Sequence, residues 1–538
     1  MTYPLTLATI LQRNRLLFGK KEVVTRDFSG IHRYTYADYN VRVAKLANAL
    51  KRLGVRKGER VATFGWNSHR HLEAYFAAPC MGAVLHTLNI RLFEDQFTYI
   101  VNHAEDAVML VDEDLLPAVE ALADRFPTVR AYVIMSDGKT VPATKLSPAY
   151  SYEALLDAET GEYDWPPLRD ENAMAALCYT TATTGNPKGV PYSHRGIYLH
   201  ALAICAGDVL GIREADAVMP VVPMFHVNAW GIPFAATWMG TKQVFPGSRP
   251  DPKALLSLIR DEKVTITAGV PTVWMGVLQQ MEREKCDVSS LKAIVCGGSA
   301  APRALIEKVE KGLGVPFVHA YGMTETYPVV LVSRPKSYMK DLPDEELYAC
   351  KGKQGTLVPG LEMRVVAEDG SEVPRDGVSM GELRLRGPWI TEEYYREPER
   401  TKESVLDGWL RTGDVVTVDP EGYVQIQDRT RDLIKSGGEW ISSIDLENTI
   451  MSHPAVAEAA VIGVPSAKWT ERPMACVVIK AGYAGKVEEK EILEFLATRV
   501  AKWWIPDEVV FVDAIPKTSV GKFAKRFLRD RFKEKRFD

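Results

Sequence analysis

The segment Thr180-Thr181-Ala182-Thr183-Thr184-Gly185-Asn186-Pro187-Lys188-Gly189 puts four threonine hydroxyls, two glycines, a proline and a lysine into ten residues. It follows the apolar run Ala173–Cys178, which reads as a strand. A strand that opens into such a loop can hold phosphate. Backbone N–H groups and hydroxyls donate to the oxygens, glycine lets the backbone approach, and lysine supplies a mobile charge. The loop lacks the Gly-Lys-Ser/Thr ending of a Walker A motif. A polar surface loop is the alternative, and so many donors directly after a buried strand argue against it.

Other stretches carry chemistry of the same kind. Tyr321-Gly322-Met323-Thr324-Glu325-Thr326 ends a strand in an aromatic, a glycine and a hydroxyl–carboxylate pair. The aromatic can stack on a base, and the carboxylate can hold Mg²⁺ directly or through water; a helix N-terminal charge is the simpler alternative for Glu325. The turn Gly297-Gly298-Ser299-Ala300-Ala301-Pro302 lets a planar ring lie against backbone, or is a tight strand-to-helix turn. Asp414, just past Trp409–Gly413, suits a ribose diol as acidic residues do in dinucleotide sites. Asp428-Arg429-Thr430-Arg431-Asp432 adds hydrogen-bonding charge. Lys435 precedes the flexible pair Gly437-Gly438 and Trp440, and Pro516–Lys522 is a glycine- and lysine-bearing loop able to neutralise a carboxylate or phosphate. Each is also an ordinary polar turn when taken singly.

The elements that must position these residues follow from apolar periodicity. Helical spacing over Val41–Leu50, strands at Arg60–Phe64 and Ala107–Val111 and a helix around Leu115–Arg125 argue for α/β units with largely parallel strands. Ala217–Val222, Val264–Ala268, Ala293–Cys296 and Phe317–Ala320 repeat the rhythm, each ending in a Gly-, Pro- or Ser-rich turn. Ligands collect at such strand ends, so the loops after Leu177, Val222, Ala268, Cys296 and Ala320 are expected to converge on one cleft. From about Lys353 short strands at Met363–Val366, Gly381–Leu385 and Gly422–Ile426 predict a small β-rich subdomain. Helix Ser443–Ser452, strands Ala457–Val464 and Met474–Ile479, helix Glu488–Val500, strand Glu508–Val512 and a basic helix then predict an α+β domain. The expected class is therefore α/β: a large N-terminal domain (1–430) of α/β sheets with a β-rich subdomain, then a small α+β C-terminal domain (431–538), with the boundary at Arg429–Leu433.

Composition bounds the class without naming an activity. The chain has 538 residues, more than one ordinary domain, with 46% apolar and 25% charged residues, as in globular proteins. A net charge of −4 gives no sign of a nucleic-acid binder. Seven cysteines without paired spacing suggest reduced thiols, neither a zinc site nor a disulfide framework. No apolar run approaches a membrane span, and the N-terminus lacks the features of a secretory leader, so the cytoplasm is expected.

Together, in this order and with these gaps, the motifs are specific. The chain resembles, end to end, the adenylate-forming superfamily of acyl-CoA synthetases, luciferases and peptide-synthetase adenylation domains. Within it the chain is most similar to bacterial and archaeal fatty acyl-CoA synthetases and to methylmercaptopropionate-CoA ligases. His69–Phe76, Gly82–Thr87 and Phe225-His226-Val227-Asn228-Ala229-Trp230 support this. The resemblance implies activation of a carboxylate by MgATP to an acyl-adenylate and pyrophosphate, then transfer to the thiol of CoA. It implies that Thr180, Thr181, Thr183, Thr184, Gly185 and Lys188 hold the β/γ-phosphates. Glu325, with Thr184, would bind Mg²⁺, and Thr324 would lie near the α-phosphate. Tyr321 and Gly322 would flank adenine beside Gly298, Ser299 and Ala300, and Asp414 and Arg429 would hold the ribose. Lys522 would bridge the carboxylate and α-phosphate, and His226 would lie near the acyl carboxylate and CoA channel. Arg431 matches a hinge about which a mobile C-terminal domain rotates. Lys435, Gly437, Gly438 and Trp440 would then line the pantetheine tunnel.

On the acid, the resemblance implies that Trp230 gates an acyl tunnel. Gly322 stands where acetate-specific relatives carry tryptophan, and Val270 lies in an apolar loop, so a medium or long acyl chain is expected. Ala182 departs from the family's glycine, and the loop is expected to work with less mobility. Relatives imply a homodimer. A short substituted acid such as 3-methylmercaptopropionate or an aryl-alkanoate also fits these residues, and two alternatives stand beside the ligase: adenylation without CoA, and a non-catalytic scaffold. The tail Lys517–Asp538, with nine basic against three acidic residues, could touch anionic lipid, though a solvated helix near the CoA phosphates accounts for it better.

Overall fold

The computed structural model describes residues 3–27, 29–180, 186–430, 432–437, 439–517 and 523–538. Backbone packing divides the chain into two units. One comprises Met1–Thr180, Asn186–Glu362 and Arg386–Leu410, and the other takes in Met363–Leu385 and Arg411–Asp538.

The first unit carries two sheets. In the nine-stranded sheet the order is Thr356–Leu357, Val329–Ser333, Phe317–Gly322, Ala293–Cys296, Ile266–Gly269, Ala217–Pro220, Lys242–Phe245, Glu22–Asp27, Gly30–Thr35. Its interior pairs are parallel and its edges antiparallel. The seven-stranded sheet runs Ala149–Ser151, Tyr132–Met135, Asp106–Asp112, Arg60–Phe64, Val84–Thr87, Met174–Tyr179, Gly189–Ser193, parallel except for the last pair. Interior strands such as Ala293–Cys296 are buried throughout, which is why they read as unbroken apolar runs; Val84–Thr87 is equally buried although His86 and Thr87 interrupt its apolar run.

The helices follow from their ends and faces. Pro252–Glu262 starts where the Asp251 side chain accepts from Ala254 N–H and Pro252 opens the first turn; it buries Leu255, Leu256, Leu258 and Ile259. Arg303–Leu313 buries Leu305, Ile306 and Val309 at helical spacing. Both faces join one apolar core with Trp274, Ile294 and Phe317. The helix expected around Leu115–Arg125 is broken instead. It forms a 3₁₀ turn Glu113–Leu115, a short helix Leu116–Glu120 and a 3₁₀ turn Ala123–Arg125. The buried residues Leu116, Val119 and Leu122 recur every third position, the period of a 3₁₀ helix, and a longer α-helix would carry one of them off the core.

In the second unit, Glu362–Val366, Gly381–Arg386 and Trp409–Val418 lie side by side, and Val424–Arg429 pairs with Trp409–Val418. A second sheet holds Glu439–Ile441, Ile434–Ser436, Thr470–Ile479 and Val456–Ser466, with Glu508–Phe511 parallel to Thr470–Ile479. Period-two alternation divides its cores. Ala459, Val461, Ala475 and Val477 face helices Ser443–Met451 and Glu489–Ala497, while Ala460, Ile462, Met474 and Cys476 pack with Leu528 of helix Lys525–Arg531.

Lys525 is buried and pairs with buried Glu447 at 2.7 Å. Its ammonium also donates to Ser443 Oγ, and the Ser443 hydroxyl and N–H donate to Asp428. Burial opposes the charge on Lys525, yet Glu447 and Asp428 outweigh it and raise its pKa. Removing Lys525 strands two carboxylates in the core. Lys525→Met is expected to destabilise this unit by about 3–5 kcal/mol, with most of the loss recovered in Lys525→Met/Glu447→Leu. Urea unfolding reads both, and a single-variant loss under about 1 kcal/mol would contradict the pairing.

In the first unit His200 lies fully buried on helix His194–Cys205, and its Nε2 accepts from Val329 N–H at 3.2 Å. Only a neutral ring can accept, and burial pushes His200 from 6.5 down to about 3. A histidine depressed in the folded state gives stability that is complete above its unfolded pKa and is lost as pH falls toward the folded one. Its share of the loss between pH 7 and pH 5 is about 2 kcal/mol. His200→Gln keeps an acceptor that does not titrate. Urea midpoints at the two pH values should therefore differ less in the variant than in the parent; equal differences would refute the role.

Candidate functional site

The stems of the threonine-rich loop are the antiparallel neighbours Met174–Tyr179 and Gly189–Ser193, with Tyr179 opposite Gly189. Thr180 N–H donates to Lys188 O at 2.9 Å, and Lys188 N–H donates to Thr180 Oγ1 at 3.2 Å. The loop is thus closed at its neck. The Tyr179 hydroxyl hydrogen-bonds His103 Nδ1 at 2.7 Å, an anchor that no sequence spacing announced. Of the loop residues, Thr181, Ala182, Thr183, Thr184 and Gly185 lie outside the described residues, as do Arg431, Gly438 and Lys522.

Lys188 and Glu325 meet through a residue that the sequence reading passed over. The Lys188 ammonium sits 4.2 Å from the centre of the Tyr394 ring, and the Tyr394 hydroxyl donates to Glu325 Oε1 at 2.8 Å. Burial lowers the pKa of Lys188, with Glu325 opposing the shift. Burial, then the adjacent Glu325 charge, raises that of Tyr394, so its hydroxyl stays protonated and donates. The Tyr394 segment is sewn in on both sides: Thr391 N–H donates to Glu325 O and Tyr395 N–H to Gly189 O, each at 2.8 Å.

Thr324 and Glu325 lie on a 3₁₀ turn, both buried. The Tyr192 hydroxyl donates to Thr324 O at 2.6 Å, and the Tyr192 and Tyr327 rings stack at 3.8 Å. Glu325 of the nine-stranded sheet's loops is thereby locked to the hairpin that carries Lys188. Its Oε2 takes no hydrogen bond among the described residues. A buried carboxylate with one oxygen committed to a neutral donor and the other uncommitted suits a hard divalent cation that fills its remaining positions with water and phosphate. No group of three potential metal ligands occurs among the described residues.

The neighbouring loops pack around Trp230, which is buried. Val227, Asn228, Ala229 and Trp230 form a left-handed turn, with φ of 49°, 47°, 48° and 59°. Such backbone costs roughly 1–2 kcal/mol per residue, so its neighbours must over-determine it. Asn228 Oδ1 accepts from Thr87 Oγ1 and Cys178 Sγ, both at 3.4 Å. Asn67 Nδ2 donates to Pro220 O and Val222 O, and Asn67 Oδ1 accepts from Met224 N–H. The Tyr75 hydroxyl caps Met224 O. The buried helix His69–Cys80 and strand Val84–Thr87 thus support the turn. His226 is half-buried within it, its N–H bonded to Pro223 O at 3.1 Å.

The glycine turn lies across Trp230. A Cβ on Gly297 would stand 2.6 Å from Ala320 O and 3.2 Å from the indole, and one on Gly298 would stand 3.2 Å from Val270 Cγ1. Gly298, Ser299 and Ala300 are exposed, and Tyr321 is half-buried beside them at its strand end. The loops after Val222, Ala268, Cys296 and Ala320 therefore converge, and Lys188, after Leu177, joins them through Tyr394. Gly322 has a reason that its sequence position did not reveal: a Cβ there would stand 1.8 Å from Pro328 O. The backbone crossing requires glycine before pocket size is considered.

In the second unit Asp414 and Arg429 sit opposite each other on adjacent strands, with Arg429 Nε 3.1 Å from Asp414 Oδ1. Asp414 is buried and its N–H donates to Thr412 Oγ1. The Lys435 ammonium pairs with Glu368 and lies 4.3 Å from the Trp440 ring centre. Gly437 N–H donates to Trp469 O at 2.9 Å.

Known proteins resemble this chain over nearly its whole length. Residues 12–395 match the family model described as AMP-binding enzyme, and residues 445–522 match its C-terminal domain. The chain is 49% identical over 536 residues to a long-chain-fatty-acid–CoA ligase of Thermus thermophilus, covering 99% of this chain and 96% of that one. It is 42% identical over 535 residues to a 3-methylmercaptopropionyl-CoA ligase of Ruegeria lacuscaerulensis, covering 99% and 98%. A solved anthranilate CoA ligase, in complex with anthranoyl-AMP, superposes with a TM-score of 0.86 at 27% identity, covering 99% and 98%. The family match spans most of the chain and the CoA ligases match it end to end, so the chain belongs to the AMP-binding enzyme family, as an acyl-CoA ligase.

Proposed function

We propose that this acyl-CoA ligase activates a medium- or long-chain fatty acid in two steps. A carboxylate oxygen attacks the α-phosphorus of ATP; the new O–P bond replaces the bond to the β-phosphate bridge, and pyrophosphate leaves with that electron pair. The sulfur of CoA then attacks the acyl carbon, AMP leaves, and the thiol proton passes to solvent. The observation that carries the reading is the placement of Lys188 and Glu325 on Tyr394 at the neck of the threonine loop. Catalysis here is positioning and charge neutralisation, since no side chain becomes covalently bound.

In this reading Thr180, Thr181, Thr183, Thr184, Gly185 and Lys188 hold the β- and γ-phosphates, and Thr324 orients the α-phosphate. Mg²⁺, held through Glu325 and Thr184, adds charge neutralisation on the phosphate oxygens when bound. Adenine lies between Tyr321 and the Gly298–Ala300 turn, and Asp414 and Arg429 take the ribose. Lys522 bridges the carboxylate and α-phosphate, and His226 borders the acyl carboxylate. Residues 431–538 rotate about Arg431 between the steps, bringing Lys435, Gly437, Gly438 and Trp440 to the pantetheine arm. The apolar walls Trp230 and Val270 and the long-chain relative favour a fatty acyl chain. The methylmercaptopropionyl relative favours a second reading, a short thioether acid. We place the reaction in the cytoplasm, consistent with seven free cysteines, and infer a homodimer by likeness to relatives. No helix among the described residues is long and apolar enough to cross a membrane.

Pyrophosphate release over a carboxylate panel, with and without CoA, tests the substrate. Fatty acids of medium to long chain should exceed 3-methylmercaptopropionate by about tenfold or more in kcat/KM, with AMP released only when CoA is present. The reverse order would favour the short acid, and CoA-independent turnover would overturn thioester formation. Lys522→Ala should lower adenylation by about 100-fold to 1,000-fold while leaving thioester formation from supplied acyl-AMP largely intact; equal loss in both steps would refute the two-position scheme.

A further inference from the structure

We infer that Tyr394 is a positioning residue whose task is to keep Lys188 and Glu325 apart. The inference rests on the assignment of Lys188 to phosphate and Glu325 to the divalent cation. Lys188 and Glu325 face each other closely enough for the carboxylate to favour the lysine's charge. Opposite charges in a half-buried space should collapse onto one another, and a closed pair would serve neither ligand: the carboxylate would lose its cation and the ammonium its phosphate. Yet they form no ion pair with each other among the described residues. Instead the ammonium rests on the π-face of Tyr394 and the carboxylate accepts from the hydroxyl of the same side chain.

The chemistry of tyrosine fits both duties. Its ring face attracts a cation without neutralising it, and its hydroxyl satisfies a carboxylate oxygen without bringing charge. Both contacts are weaker than a closed ion pair with either ligand, so MgATP can displace them. Tyr394 is itself immobilised. It is buried, its N–H donates to Thr401 Oγ1 at 2.9 Å, and its flanking backbone is tied to Glu325 O and Gly189 O. A mobile side chain could not separate the charges; this one is held from three directions.

Unlike a merely structural support, Tyr394 matters for the cation only while Lys188 is present. Binding of Mn²⁺ to the full-length enzyme with α,β-methylene-ATP, followed by electron paramagnetic resonance, reads this without turnover. Glu325→Gln should weaken Mn²⁺ binding; unchanged binding would remove the cation assignment and this inference with it. Tyr394→Leu should weaken Mn²⁺ binding by about fivefold or more in the parent and by less than about twofold in a Lys188→Met background. Tyr394→Phe keeps the ring and folds the more safely. It should show the same Lys188-dependent pattern at smaller amplitude, with KM for MgATP rising more than kcat falls. An equal loss of Mn²⁺ affinity with and without Lys188, in either Tyr394 variant, would overturn the inference and leave the assignment of Glu325 standing.

Discussion

Two opposite charges must share one pocket without cancelling. A lysine able to meet phosphate and a carboxylate able to meet a cation attract each other with about 4 kcal/mol at 4 Å and an effective dielectric of about 20. Against that, the cation–π contact and charge-assisted hydrogen bond made by Tyr394 offer about 0.5–2 and 1.5–3 kcal/mol. The balance is close, so the partners' backbones have to be placed well. Much of the first unit does this: the neck Thr180–Lys188, the stacked Tyr192 and Tyr327, and the segment Thr391–Tyr395 fix where each charge starts.

Around this pair the fold accepts strain to shape an apolar wall. The left-handed turn Val227–Trp230 contains no glycine and persists because Asn67, Tyr75, Thr87 and Cys178 hold its flanks. The turn presents the Trp230 indole to Gly297 and Gly298; a β-carbon on Gly297 would collide with backbone and crowd the ring, and one on Gly298 would crowd the Val270 side chain. Parallel strands make the arrangement possible, since their carboxyl ends deliver successive loops to the same side. The second unit repeats the logic with a buried charge network, in which Lys525 is satisfied by Glu447, Ser443 and Asp428.

The sheets were legible because buried parallel strands write themselves as apolar runs between turn residues. Arg60–Phe64 and Ala293–Cys296 end where the pattern predicts. The helix expected around 115–125 breaks into shorter pieces because its buried residues recur every third position, a repeat that sequence alone does not separate from a helical one. The motif residues Lys188, Glu325, Gly298 and Asp414 stand out by type and position. Tyr394 does not: it sits in a run of glutamates and tyrosines, and its partners are 69 and 206 positions away in sequence. No local pattern reports a long-range contact. The left-handed turn was illegible for the same reason, since its cause is tertiary and its residues other than asparagine disfavour it. The backbone crossing behind Gly322 was hidden likewise, which is why a pocket argument alone overstated what that glycine says about chain length.

In the proposed reaction a carboxylate oxygen becomes bonded to the α-phosphorus of ATP before the acyl group reaches the CoA sulfur. Turnover of a fatty acid labelled in both carboxylate oxygens with oxygen-18, in the presence of ATP and CoA, followed by mass spectrometry of the products, tests it directly. AMP should carry a single labelled oxygen, pyrophosphate none, and the thioester carbonyl the other label. Unlabelled AMP, or label in pyrophosphate or inorganic phosphate, would contradict it.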